Sequence, residues 1–221
     1  YYHAVKKFYS DNFESIDNYW AEGGEAAWVS ENRLYQKANP EGPDKGTVEG
    51  GVSTIWCRTP LPADVEIRVK ACVVASVFGA NNINLFLSYA PREGTTLWDS
   101  RDERDDGDYA HYHGLDGHIF TFLRDWKYTG VTEGETKDLP ARYRIRRCPG
   151  FQLLAEKHEG LCEQGKVYDL KIRKKGGELR ISVDGQLMLE ATDPAPLGGG
   201  YFGFRTFRTE LWWSDLEVWA L

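Results

Sequence analysis

Apolar and polar residues alternate with a period of two through most of the chain. Across Val65–Val77, Val65, Ile67, Val69, Ala71 and Val73 interleave with Glu66, Arg68 and Lys70, the pattern of a strand with one face in a core and one in water. Asn82–Tyr89 places Ile83, Leu85, Leu87 and Tyr89 on one face and Asn82, Asn84, Phe86 and Ser88 on the other. That second face, polar with one aromatic, suits a binding cleft. Ala141–Cys148 sets Arg142, Arg144 and Arg146 against Tyr143 and Ile145. Further strands are predicted at Val52–Arg58, Phe151–Glu156, Tyr168–Lys174, Glu178–Val183, Gln186–Glu190, Tyr201–Phe207 and Trp212–Ala220, punctuated by Gly176-Gly177 and Asp184-Gly185 hairpin signals. No stretch beyond about ten residues carries helical periodicity, so the pattern predicts an all-β sandwich or barrel.

Asp108–Arg124 stands out within this pattern. It contains His111, His113 and His118, Tyr109, Tyr112 and Arg124 around a Gly114-Leu115-Asp116-Gly117 turn. Read as a hairpin, its alternation puts Tyr109, His111 and His113 on one face, with Tyr112 facing away unless the strand is bulged. Before it, residues 91–108 form a long charged loop, and loops of that length inside a compact domain are more often functional than idle.

Composition narrows the class of partner. The chain has 221 residues, which a single β-sandwich domain spanning 1–221 accommodates. Its net charge of −7 argues against a nucleic-acid partner. No apolar run approaches the roughly 20 residues of a membrane-spanning helix. The first residue is Tyr1 rather than Met, consistent with a processed or truncated start. Cys57, Cys72, Cys148 and Cys162 lack zinc-site spacing. They are either buried thiols or disulfide partners, with Cys148–Cys162 the favoured pair because the two flank one short strand segment. Trp212, Trp213 and Trp219 read as packing residues, and Trp56, Trp98 and Trp126 as candidates for contact with a ligand.

The C-terminal third, from Val167-Tyr-Asp-Leu-Lys-Ile-Arg through Ile181-Ser-Val-Asp-Gly-Gln to Gly203-Phe-Arg and Asp215-Leu-Glu-Val, resembles the concanavalin A-like lectin/glucanase superfamily. That resemblance implies a jelly-roll β-sandwich of two antiparallel sheets, one of which holds glycans. Ile55-Trp56-Cys57, Tyr109 to Gly114, Arg146 to Phe151 and Gly203-Phe204-Arg205 resemble the YesU-like bacterial proteins found in pectin-utilisation gene neighbourhoods. This second likeness implies a secreted or periplasmic role in polysaccharide breakdown and transfers no catalytic residue.

The residue inventory separates the reactions such a fold hosts. A retaining glycosidase of the superfamily would show a Glu-x-Asp-x-x-Glu strand, since two carboxylates about 5–5.5 Å apart must flank the scissile bond. The chain has no such strand. A polysaccharide lyase instead needs a base, a proton donor and cationic or amide groups that neutralise a uronate carboxylate. His111 and His113 are candidate bases, Tyr109 or Tyr112 the acid, and Arg146 with Arg144 the carboxylate clamp. Asn84, Phe86, Ser88, His118, Arg124, Gln152 and Arg205 are the other candidate groove residues. The expected activity is β-elimination on an acidic, uronate-containing polysaccharide or oligosaccharide. The alternatives are a non-catalytic carbohydrate-binding module and a glycoside hydrolase with an atypical arrangement. No cofactor is required, and Asp99–Asp108 is read as a solvated loop in preference to a structural calcium site.

Overall fold

The computed structural model describes residues 5–38, 51–76, 79–123, 126–129, 136–139 and 141–221. Its first strands are β1 (Lys6–Asp11), β2 (Tyr19–Gly23), β3 (Ala26–Ser30), β4 (Arg33–Lys37), β5 (Val52–Cys57) and β6 (Val65–Ser76). After β7 (Ile83–Ala90) come a 3₁₀ turn at Arg101–Arg104 and a short helix, α1 (Tyr109–His113). Then follow β8 (Asp116–Leu123), β9 (Trp126–Thr129), β10 (Thr136–Leu139), β11 (Arg142–Cys148) and β12 (Gln152–Lys157). The last are β13 (Val167–Lys175), β14 (Glu178–Val183), β15 (Gln186–Thr192), β16 (Tyr201–Phe207) and β17 (Thr209–Ala220).

Two antiparallel sheets pack face to face. One has the order β15-β14-β13-β6-β17-β4-β3, with β1 also on β17, and the other the order β12-β11-β8-β7-β16-β5-β2. Strands β9 and β10 form a separate pair. Alternation accounts for the inter-sheet core: Ile67, Val69 and Val73 meet Leu85, Leu87, Phe120, Ile145, Phe204, Trp213 and Val218 there. Their sequence neighbours point outward, as the pleat requires.

The seven-stranded sheet carries a second apolar cluster on its outer face. Trp20, Trp56, Phe86, Tyr89, Tyr112, Ile119, Leu97 and Cys148 are buried there because the 91–115 segment folds over the sheet. All four cysteines are buried thiols, and the Cys148–Cys162 bridge favoured from spacing is not formed. Cys148 sits in the outer cluster and Cys162 in the inter-sheet core, on opposite faces of the sheet.

Two local departures from alternation shape the site. Residues Tyr109–His113 are helical rather than extended. Asp108 caps the helix by accepting a hydrogen bond from the Ala110 amide at 3.0 Å, the role short acidic side chains play at helix starts. In β7 the register shifts between Leu87 and Ala90, and Ser88 takes a positive φ of 57°. That bulge passes the outer-face position to Tyr89, which packs on Phe86 and Trp56; Ser88 does not line the cleft as alternation predicted.

Candidate functional site

Cross-strand register assembles the outer face into two rows. One runs Glu22, Thr54, Arg205, Asn84, Thr121, Arg144, Glu156 from β2 to β12. The next runs Trp20, Trp56, Gly203, Phe86, Ile119, Arg146. Helix α1 lies across these rows. Residues four apart on a helix share a face, so Tyr109 and His113 come together with ring centroids 4.4 Å apart. Tyr112 turns down into the sheet, and His111 turns toward the loop.

Arg205 and Arg146 flank the Tyr109–His113 pair. Arg205 is buried, donates to the Gly107 carbonyl at 2.7 Å and to Thr54 Oγ1 at 3.0 Å, and places its guanidinium 4.4 Å from the Tyr109 ring centroid. Arg146 sets its positive charge beside Tyr109 and lies 3.9 Å from the Phe151 ring centroid. Phe151 in turn stacks on His113 at 3.9 Å. The turn carrying Phe151 is joined to α1 through the Gly150 amide, which donates to the His113 carbonyl at 3.1 Å.

This environment sets protonation. Burial, followed by the positive charges of Arg205 and Arg146, pushes the His113 imidazole down to about 4, so it is neutral at neutral pH and able to accept a proton. Its Nε2 is buried with no hydrogen-bond partner among the described residues. Burial raises the Tyr109 hydroxyl, while the same two guanidiniums pull it back toward ionisation. The outcome is a neutral base, a phenol and two cations on one surface.

A buried carboxylate holds the assembly in place. Glu22 accepts from Trp20 Nε1 (3.1 Å), Trp56 Nε1 (2.8 Å), Tyr112 Oη (3.0 Å) and Arg104 Nε and Nη2 (3.0 and 2.9 Å). One side chain therefore joins the sheet, the 3₁₀ turn and α1. Beside it, the loop meets β2 backbone to backbone: the Gly23 amide donates to the Asp105 carbonyl at 2.7 Å. Both Gly23 (φ 69°) and Gly107 (φ 70°) are left-handed there, and a Cβ on either would come within 2.8 Å of a carbonyl oxygen of the facing segment. Only glycine meets both demands.

Tyr109, His113, Phe86, Arg146, Asn84 and Arg205 lie on the same side of the sheet, with Phe86, Asn84 and Arg205 buried. Asn84 is fixed by Thr121, whose hydroxyl donates to its side-chain carbonyl at 2.7 Å, and Arg144 pairs with Glu156 at 3.1 Å. Other candidates lie elsewhere. The helix carries His111 away to Asp106, 2.8 Å from its Nε2. Tyr112 is consumed by Glu22. His118 faces the sandwich interior, across from Leu87, where its Nε2 meets the buried Asp193 at 2.8 Å. Gln152 is exposed, across from Arg147, whose own side chain bonds Asp193. Arg124 and the Trp126 side chain lie outside the described residues.

Trp56 is fully buried and offers no surface to a ligand. Trp98 carries the guanidiniums of Arg58 and Arg101, 3.9 and 4.0 Å from its ring centroid. Glu22, Phe151, Thr54 and Thr121 were not expected at the site. The alternation of Trp20 and Glu22 in Tyr-Trp-Ala-Glu-Gly is the signal that places Glu22 on a tryptophan-bearing face.

The two antiparallel sheets define a concanavalin A-like, galectin-like jelly-roll sandwich. The chain belongs to the family described as a domain of unknown function, DUF6250, whose model matches residues 47–216. No curated protein matches it. Among solved structures it is similar to a Bacillus subtilis protein of unknown function with a galectin-like fold, at TM-score 0.70 and 18% identity, over 97% of both chains. The Bacillus subtilis carbohydrate binding module CBM66 aligns at TM-score 0.59 and 12% identity, over 90% of this chain and 93% of that one. The VIP36 exoplasmic/lumenal domain in its Ca2+/Man3GlcNAc-bound form aligns at 0.60 and 14%, over 96% and 86%. Within the described residues no helix is long and apolar enough to cross a membrane.

Proposed function

We propose that the protein is a polysaccharide lyase that cleaves an acidic, uronate-containing glycan by β-elimination on the outer face of the seven-stranded sheet, in a secreted or periplasmic setting. The observation that carries this reading is the grouping of a neutral His113 and Tyr109 between Arg146 and Arg205. Arg146 neutralises the uronate carboxylate, with the buried Arg205 adding its positive field from beneath α1, and together they acidify the adjacent C–H. His113 takes that proton, and the Tyr109 hydroxyl protonates the departing glycosidic oxygen. Asn84 lies buried in the same row, its side chain held by Asn82 and Thr121.

The carboxylates fit hydrolysis less well. Glu22 and Glu156, the carboxylates borne by the strands of this face, stand six inter-strand steps of ~4.8 Å apart, roughly 29 Å along the sheet. Glycosidases place theirs at about 5–5.5 or 6.5–9.5 Å. Glu22 is moreover surrounded by donors from the protein itself.

The test is the ultraviolet absorbance of an unsaturated uronide, followed over polygalacturonate, alginate and other polyuronates. His113→Ala and Tyr109→Phe are expected to abolish product, while His111→Ala is expected to retain it. Absence of product from every polyuronate refutes the assignment. Likeness to CBM66 supports a second reading, a carbohydrate-binding module, which tight glycan binding without product would select.

A further inference from the structure

The arginines of β11 extend past the centre just described. Arg142, Arg144 and Arg146 occupy alternate positions of one strand, on the face opposite Tyr143 and Ile145. At ~3.3 Å per residue they form a ladder about 13 Å long, with Arg146 at the end beside Tyr109. One carboxylate answers the other two. Glu156 accepts from Arg144 Nη2 at 3.1 Å and is shared with His158 Nε2 at 3.0 Å.

The ladder is not a solvated charged face. Arg142 and Arg144 are each partly buried, and the Nε of each is shut in with no hydrogen-bond partner among the described residues. Holding two partly buried guanidiniums with donors unmet is costly, and an anion on the exposed remainder of the two side chains offsets their charge best. Charge balance agrees: burial first, then the neighbouring Arg144, pushes the Arg142 guanidinium down to about 10. Burial works to raise the Glu156 carboxyl, yet Arg144, His158 and Arg142 together hold it below the usual range.

We propose that Arg142 and Arg144 form a second anion subsite, beside the Tyr109–His113 centre, for a carboxylate or sulfate carried on a neighbouring unit of the same acidic polysaccharide. The proposal rests on the reading above for the glycan nature of the ligand and adds that recognition spans more than one charged unit. Glu156 competes for the subsite, occupying Arg144 until an incoming anion replaces it.

Retention on immobilised or gel-embedded polymer tests this with polygalacturonate and alginate as carboxylated probes, dextran sulfate as the sulfated one and dextran as the neutral control. The wild-type protein is expected to bind a charged probe and not dextran. Arg142→Gln with Arg144→Gln is expected to weaken binding about tenfold or more and to flatten its dependence on salt, with lysine at both positions restoring part of the affinity. Glu156→Gln is expected to tighten binding several-fold, a change that damage to the fold does not produce. Preference for the carboxylated or the sulfated polymer identifies which group the subsite takes.

Equal retention on dextran, no retention on any charged probe, or affinity unmoved by both the arginine and the Glu156 variants overturns the proposal. Arginine-dependent binding without unsaturated product refutes the lyase assignment and leaves the subsite standing. Product formation with KM unchanged in the arginine variant does the reverse.

Discussion

Replacing Glu22 with Gln tests whether one buried carboxylate holds the outer-face assembly together. The substitution keeps shape and removes charge, leaving the buried Arg104 guanidinium without its counter-ion and turning an amide N–H₂ toward a site built of indole, guanidinium and phenol groups that donate to Glu22. Breaking a buried ion pair from one side costs roughly 3–5 kcal/mol. In a chain of 221 residues each kcal/mol moves the midpoint by about 2–4 °C, so Tm is expected to fall by roughly 6–20 °C. Differential scanning calorimetry measures this directly, and near-ultraviolet circular dichroism reports the Trp20, Trp56 and Tyr112 environment. Arg104→Met alone should also be destabilising, while the double variant should lose clearly less than the two single losses added, because it leaves no charge stranded. A Glu22→Gln protein melting within about 2 °C of wild type, or strict additivity in the cycle, would show that Glu22 is not the tether.

Further outcomes follow from the same geometry. Gly107→Ala must place a Cβ at positive φ against the Glu22 carbonyl, and should cost at least about 1–2 kcal/mol while hastening proteolysis of the 91–108 loop. Asp193→Asn strips the partner from both His118 and Arg147 and should destabilise toward the lower end of the ~3–5 kcal/mol range for buried pairs, since Arg147 is partly exposed; urea titration reads it. For His113 the folded value, about 4, lies below the ordinary 6.5. The unfolded chain therefore binds the proton more readily, and this contribution to stability is complete above about pH 6.5 and is lost as pH falls toward 4. His118, also lowered by burial, acts in the same direction, so the check is a flatter pH–stability slope in His113→Phe than in wild type. The acid limb of any pH–rate profile should likewise lie nearer 4 than 6.5.

Alternation in the sequence predicted the sheets and much of the outer face, because a strand's two-residue period is a direct readout of which side is buried. Phe86, Asn84, Arg144, Arg146 and Arg205 were legible for that reason. The misplacements of His111 and Tyr112 trace to five helical residues: Tyr-Ala-His-Tyr-His alternates like a strand, and a helix this short has no room to show its own period. The capping aspartate at 108 was the available sign. Ser88 was misplaced by a single bulge, which no alternation rule anticipates. His118 sits in a conspicuous cluster that points to the groove, but its parity with Phe120 and Phe122, which face the core, is the better guide. Glu22 went unnoticed because its importance comes from donors supplied by Trp56, Arg104 and Tyr112, distant in sequence and adjacent only after folding.

The paired glycines at 23 and 107 also divide the 91–108 loop into parts that tolerate change differently. Where the two backbones touch, neither residue can grow a side chain, so α1 is seated at a fixed height above the sheet. The tip around Gly94 is open, a Cβ there meeting nothing within 4 Å, and only the positive φ of 84° still favours glycine at that one position. Insertions or foreign sequence grafted at that tip are therefore expected to leave Tyr109 and His113 in register with Arg146 and Arg205, making it the place to alter what the protein recognises without rebuilding what it does.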